Sequence, residues 1–187
     1  MEGAAAAYAA SRTEAGEDGI AGERTTSQAQ RALVIAFTDP ARATDEIELN
    51  GQLLTGLDLR TTSFTSKIAA LVRDAGSTSA QVEHRGHLLR TEINTSGIVA
   101  AAALLELALA FHHPVQHEPD EARATIDRLR DHVRGADYAY YYDIAHYMAG
   151  LTLPAASTAW WINGEEQART GWHALVRERQ EQLRGAG

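Results

Sequence analysis

The side chains best suited to chemistry fall into three groups. In the first, His112, His113 and His117 are followed closely by Glu118, Asp120 and Glu121. Imidazole and carboxylate both ligate zinc, iron or manganese, and a short turn can bring two such donors to a common ion. Helix polarity alone also accounts for the order, because imidazoles suit the negative end of one helix and acids the positive start of the next. The second group is spread along the chain: Glu83 and His87 at i, i+4, Glu106 inside an apolar stretch, and Asp143 and His146 at i, i+3. Carboxylate-bridged di-metal bundles use a carboxylate and a histidine three apart, so that both project inward. Only Asp143-Ile144-Ala145-His146 has that interval, which leaves the pattern incomplete. The plainer reading makes Glu106 a buried acid held by an arginine or histidine, or places it at a subunit contact, since an ionised carboxylate on an apolar face is costly alone.

The third group is aromatic. Five of the six tyrosines (Tyr138, Tyr140, Tyr141, Tyr142, Tyr147) and all three tryptophans (Trp160, Trp161, Trp172) lie between residues 138 and 172. One helix cannot hide so many rings. Part of the group should line a core, and the remainder suits a protein interface or ligand pocket, where these side chains supply large area with a polar handle.

Common catalytic signatures are missing. The sequence has no Gly-x-Ser-x-Gly elbow, no phosphate-binding glycine loop, no His-Glu-x-x-His and no dinucleotide fingerprint. With no cysteine, disulfide scaffolds, thiolate metal sites and thiol nucleophiles are excluded. A net charge of -8, with no basic arm, argues against a nucleic-acid binder. Lys67 is the one lysine among 17 basic residues, a bias typical of GC-rich bacterial or phage coding sequences. No secretory signal follows Met1, so a cytoplasmic location is expected. The longest apolar run, 97–111, contains Glu106 and is shorter than the ~20 residues that span a bilayer, so it reads as a buried core helix.

The elements that would position these groups are helices. Residues 1–26 hold few large apolar side chains and read as a flexible acidic Ala/Gly/Glu-rich tail, helical from Glu2 to about Ala15 if something orders it. Ser27 would cap a helix ending before Asp39-Pro40, although residues 33–37 also suit a short strand, and residues 40–62 mix spacings that suit a helix over about 43–59 or a β excursion. Phe64, Ile68, Leu71 and Val72 form an apolar stripe behind Ser63 as cap, with Gly76 as a left-handed terminator. A helix over 77–93 should turn Val82, Leu88, Leu89 and Ile93 inward, despite Gly86. The apolar helix 97–113 should sit at the centre, ended by Pro114. Pro119 opens a helix through 134 with Ala122, Ile126, Leu129 and Val133 as its stripe, and its row of Arg123, Arg128, Arg130 and Arg134 reads as a solvated face. Helices at 138–150, 155–163 and 165–184 follow, the last with Ala168, Trp172, Leu175, Val176 and Leu183 inward.

The expected fold is all-α, a multi-helix bundle or a short stacked array of helix pairs, with residues 27–187 as one domain behind the tail. The expected function is a non-enzymatic protein-interaction or assembly component, self-associating or bound to a protein partner through Tyr138, Tyr140, Tyr141, Tyr147, Trp160, Trp161 and Trp172, with no cofactor, nucleic acid or membrane. The alternative is a helical-bundle metal enzyme using iron, manganese or zinc on Glu83, His87, Glu106, Asp143 and His146.

Overall fold

A computed structural model of the chain describes residues 2–17, 21–77, 79–134, 139–151 and 166–185. Every regular element among the described residues is an α-helix, so the strand alternatives at 33–37 and within 40–62 fall away. None of these helices is long and apolar enough to cross a membrane. The chain forms two compact units, Met1–Asp74 and Ala75–Gly187.

The first unit contains α1 (Glu2–Glu17), α2 (Ala21–Ala36), α3 (Pro40–Leu54) and α4 (Arg60–Arg73), with α2 packed against the other three. The expectation of a flexible tail over 1–26 is corrected here, because α1 is a helix laid against α2. Its alanine-rich sequence favours helix, but it buries little apolar bulk, and Ala5 is the buried apolar residue among the α1 side chains that the structure describes. What docks it is small and polar. The Ser11 and Ser27 hydroxyls are 3.0 Å apart, Arg12 donates to the Gln28 Oε1, and Arg31 donates to the Ala5 carbonyl at 3.0 Å. Ser27 is therefore a contact residue in mid-helix rather than the cap of α2.

Asp39-Pro40 ends α2 and also starts α3. The Asp39 carboxylate accepts from the Arg42 N–H at 3.0 Å, and Pro40 occupies the first turn, where its missing N–H is harmless. Helix α3 thus begins three residues before the expected 43 and ends at Leu54, while Leu57 stands exposed in the following turn. Helix α4 buries Phe64, Ile68, Leu71 and Val72 as the stripe requires. Its N-cap is Leu59, not Ser63, whose N–H already donates into the helix to the Leu59 carbonyl at 2.9 Å.

A polar layer crosses this unit. Gln28, wholly buried, donates through Nε2 to both the main-chain oxygen and the carboxylate of Glu46 at 2.8 Å, and Arg31 reaches the other carboxylate oxygen at 2.8 Å. Burial pushes the Glu46 carboxyl up, but the hydrogen bonds from Arg31 and Gln28 and the charges of Arg31 and Arg12 outweigh it, leaving its pKa below the ordinary 4.5. A carboxyl lowered in the folded state contributes stability above its unfolded pKa and loses it as the pH falls through the folded value.

The second unit contains α5 (Ser79–Ser96), α6 (Val99–Val115), α7 (Pro119–Val133), α8 (Ala139–Met148) and α9 (Glu166–Gly185). Helix α6 is the hub. Residues Ala101 through His113 are buried without interruption, and α5, α7, α8 and α9 all pack against it. Pro114 does not stop α6 but sits in its last turn. Ala122, Ile126, Leu129 and Val133 of α7 face inward as expected. Leu88 and Leu175 do not, at 55% and 46% exposed. Helix α9 turns Val176 inward as expected, together with Arg179 and Gln180; Gln180 donates from one amide nitrogen to the main-chain oxygens of Phe111 and Met148, both at 3.1 Å. The 155–163 helix and the side chains of Ala168 and Trp172 lie outside the described residues.

Two glycines change their reading. Gly76 does not have a left-handed backbone; a Cβ there would stand 2.7 Å from Leu183 Cδ2, so the position serves close approach by α9. Gly86, unfavourable in a helix on propensity, lets α5 approach α6, since its Cβ would lie 3.3 Å from Leu109 Cδ2.

Glu46→Ala should lower the unfolding free energy by about 3 kcal/mol, the usual loss when one partner of a buried ion pair goes. Urea denaturation of the full chain at neutral pH measures this, and the difference from wild type should shrink as the pH drops below 4.

Candidate functional site

Glu106 occupies the middle of α6 at 1% exposure, yet it is fully engaged. Arg90 of α5 meets it in a two-point contact, Nε to Oε1 at 2.8 Å and an η nitrogen to Oε2 at 3.1 Å. Arg128 of α7 adds a bond from Nε to Oε2 at 2.9 Å and fastens its own η nitrogen to Thr125 Oγ1 at 2.7 Å. Two guanidiniums on one buried carboxylate form a charge-assisted network whose members are mutually satisfied. The arginine-held reading of Glu106 matches this geometry. Arg128 is a correction to the solvated row on α7, for it turns from that row to Glu106. Arg123, Arg130 and Arg134 do stay at the surface, each paired with an aspartate three residues before it.

The other members of the expected metal set are dispersed. Glu83 and His87 are exposed on α5, while Asp143 and His146 are buried on α8. His146 donates through Nδ1 to the Tyr142 carbonyl one turn back at 2.9 Å, and its ring meets that of Tyr142 nearly edge-on at 4.2 Å. Among the described residues, one group of three donors comes close enough to share an ion, and it draws on both sequence groups: Glu83, His113 and Glu118, with ligand atoms all within 4.8 Å of one another. His113 and Glu118 stand close together in sequence. Glu83 arrives from a different helix, and no spacing rule could have linked it to them.

The turn between α6 and α7 sets this geometry. After the α6 C-cap at Gln116, His117 adopts φ 59, the left-handed conformation usually left to glycine. The Glu118 N–H then donates back to the His113 carbonyl at 3.0 Å and the His117 N–H to that of Pro114 at 3.4 Å, the paired bonds of a Schellman ending. The reversal carries the Glu118 side chain over His113, whose Nδ1 is 2.9 Å from Glu118 Oε2. His113 is buried, Glu118 half-buried and Glu83 exposed, so the group opens from the protein interior toward solvent.

His112, next to it, has a different role. It is wholly buried, and Nδ1 donates to the Ala75 carbonyl at 3.1 Å, which Gln116 also reaches at 3.3 Å. Its Nε2 has no hydrogen-bond partner. Burial holds the pKa of His112 below the ordinary 6.5, with the Ala75 bond opposing and the neighbouring His113 adding to the depression. The ring is therefore neutral at physiological pH, a core histidine that fastens the start of the second unit to the end of α6.

Of the expected contact residues, Tyr141 and Tyr147 are half-buried on α8, and Arg177 of α9 stacks over the Tyr147 ring at 4.7 Å. Tyr138, Trp160 and Trp161 lie outside the described residues, as do the side chains of Tyr140 and Trp172. Compared with protein-family models, with curated proteins and with solved structures, the chain has no match.

Two outcomes follow from these geometries. Replacing Arg90 and Arg128 together by alanine should destabilise the full chain by about 3 to 5 kcal/mol, because it strands a buried carboxylate. Glu106→Leu should be much milder, since the two guanidiniums it releases can reach water; urea melts of both variants check the asymmetry. The native-state pKa of His112 is depressed, so as the pH falls below 6.5 the unfolded chain takes up a proton that the folded chain refuses. Stability should fall with it. Urea melts at a series of pH values should show a shallower decline between pH 6.5 and 5 for His112→Gln than for wild type.

Proposed function

We propose that the chain is a non-enzymatic helical interaction or assembly component, a cytoplasmic multi-helix bundle that makes its contact through the aromatic C-terminal third. One observation carries this reading. Helix α8 fills its inner positions with Asp143, Ala145, His146 and Met148, all buried, while Tyr141, Tyr142 and Tyr147 are half-buried. Burying a carboxylate and an imidazole while leaving the larger apolar rings at the margin is the reverse of what core packing alone favours. Tyrosine at a margin offers wide contact area with little conformational entropy to lose, and is enriched where proteins meet. Leu175, exposed on the adjoining α9, adds apolar surface to the same third of the chain. The acidic net charge keeps the reading within protein contacts rather than nucleic acid.

The first partner to examine is a second copy. Sedimentation equilibrium of the full chain should show reversible association, weakened at least about tenfold, or ~1.4 kcal/mol, in a Tyr141→Ser, Leu175→Asp double variant whose melting temperature stays close to wild type. A wild-type monomer at the highest soluble concentration, or association unchanged by the double variant, would count against this surface as the site of self-association.

A further inference from the structure

We infer that Glu83, His113 and Glu118 form a site for one divalent transition-metal ion, bridging α5 to the turn between α6 and α7. The inference is independent of the aromatic contact surface. It starts from the donor set, one imidazole and two carboxylates, whose ligand atoms already lie within 4.8 Å of one another without an ion between them. The tightest pair, His113 Nδ1 and Glu118 Oε2, is 2.9 Å apart in a hydrogen bond. Around a tetrahedral ion two donors at about 2.1 Å stand about 3.4 Å apart, so this pair needs to open by only about half an ångström. Glu83, exposed on α5, completes the donor set from a second helix.

The chemistry of the donors narrows the ion. Magnesium and calcium prefer all-oxygen shells, whereas imidazole suits zinc, manganese and ferrous iron. Three protein donors leave at least one position for water, and the solvent-facing side of Glu83 and Glu118 provides the way in. For Nδ1 to become a ligand, the hydrogen between it and Glu118 leaves to solvent and the neutral ring carries its proton on Nε2. The ion would also set a positive centre between two carboxylates, tying α5 to the turn between α6 and α7.

The test uses the full chain, freed of metal by chelation and titrated with Zn2+ by calorimetry and with Co2+ by visible absorption. The expected result is saturable binding of one ion per chain, a Co2+ ligand-field spectrum displaced by Zn2+, and a higher melting temperature in the presence of Zn2+. Glu83→Gln, on an exposed position that should not disturb folding, is expected to weaken binding about tenfold or more, and Glu118→Gln similarly. His113→Ala should abolish it if the variant folds, whereas His87→Ala, on α5 but outside the group, should leave the affinity unchanged. Absence of saturable binding by either ion would overturn the site, as would affinity that survives intact in both Glu83→Gln and Glu118→Gln.

Discussion

The second unit depends on how α6 is surrounded. A helix whose residues from Ala101 to His113 are all buried has no solvent face to orient it, and its run of alanine and leucine offers partners a nearly uniform surface. Such a helix could slide or rotate against its neighbours with little change in apolar burial. Glu106 removes that freedom. Its carboxylate can be buried only where Arg90 of α5 and Arg128 of α7 both reach it, and a shift of one helical turn, about 5.4 Å, would carry it out of range of both. The ion pair therefore acts less as a source of stability than as a key for register, a role buried polar groups also play in coiled coils.

The first unit solves a different problem. Its N-terminal helix has almost no apolar stripe, so it cannot be held by the means that hold α4. It is held by matched small and polar groups, serine on serine and arginine on glutamine, with the Gln28–Glu46–Arg31 layer behind them. Close approach of alanine-rich helices brings side-chain polar atoms and main-chain carbonyls within reach of each other, as in the Arg31 contact to the Ala5 carbonyl.

How far the sequence could be read depends on the range of the interaction. Apolar stripes such as Phe64/Ile68/Leu71/Val72 and Ala122/Ile126/Leu129/Val133 are local signals, and the structure buries each of these residues. The central place of α6 and the arginine-held state of Glu106 were legible for the same reason, since an all-apolar helix needs neighbours and a lone acid within it needs a cation. Misreadings arose where local signals compete. Ser27 and Ser63 have the chemistry of caps but lie inside helices, Asp39-Pro40 is at once a stop and a start, and Gly76 resembles a terminator while its role depends on Leu183, more than a hundred residues away. The docking of α1 was hidden because hydrogen bonds between small side chains leave no hydrophobic period. The meeting of Glu83 with His113 and Glu118 was hidden because only the packing of α5 on α6 creates it.

Gln180 carries an implication for the order of assembly. Its carboxamide reaches carbonyls on both α6 and α8, so those two helices share a fastener delivered by a segment far downstream. On a ribosome emitting the chain from its N-terminus, α6 would leave the exit tunnel long before that fastener. Until residue 180 emerges, the Phe111 and Met148 carbonyls are without this common donor, so the link it makes between α6 and α8 is among the last contacts of the unit to close.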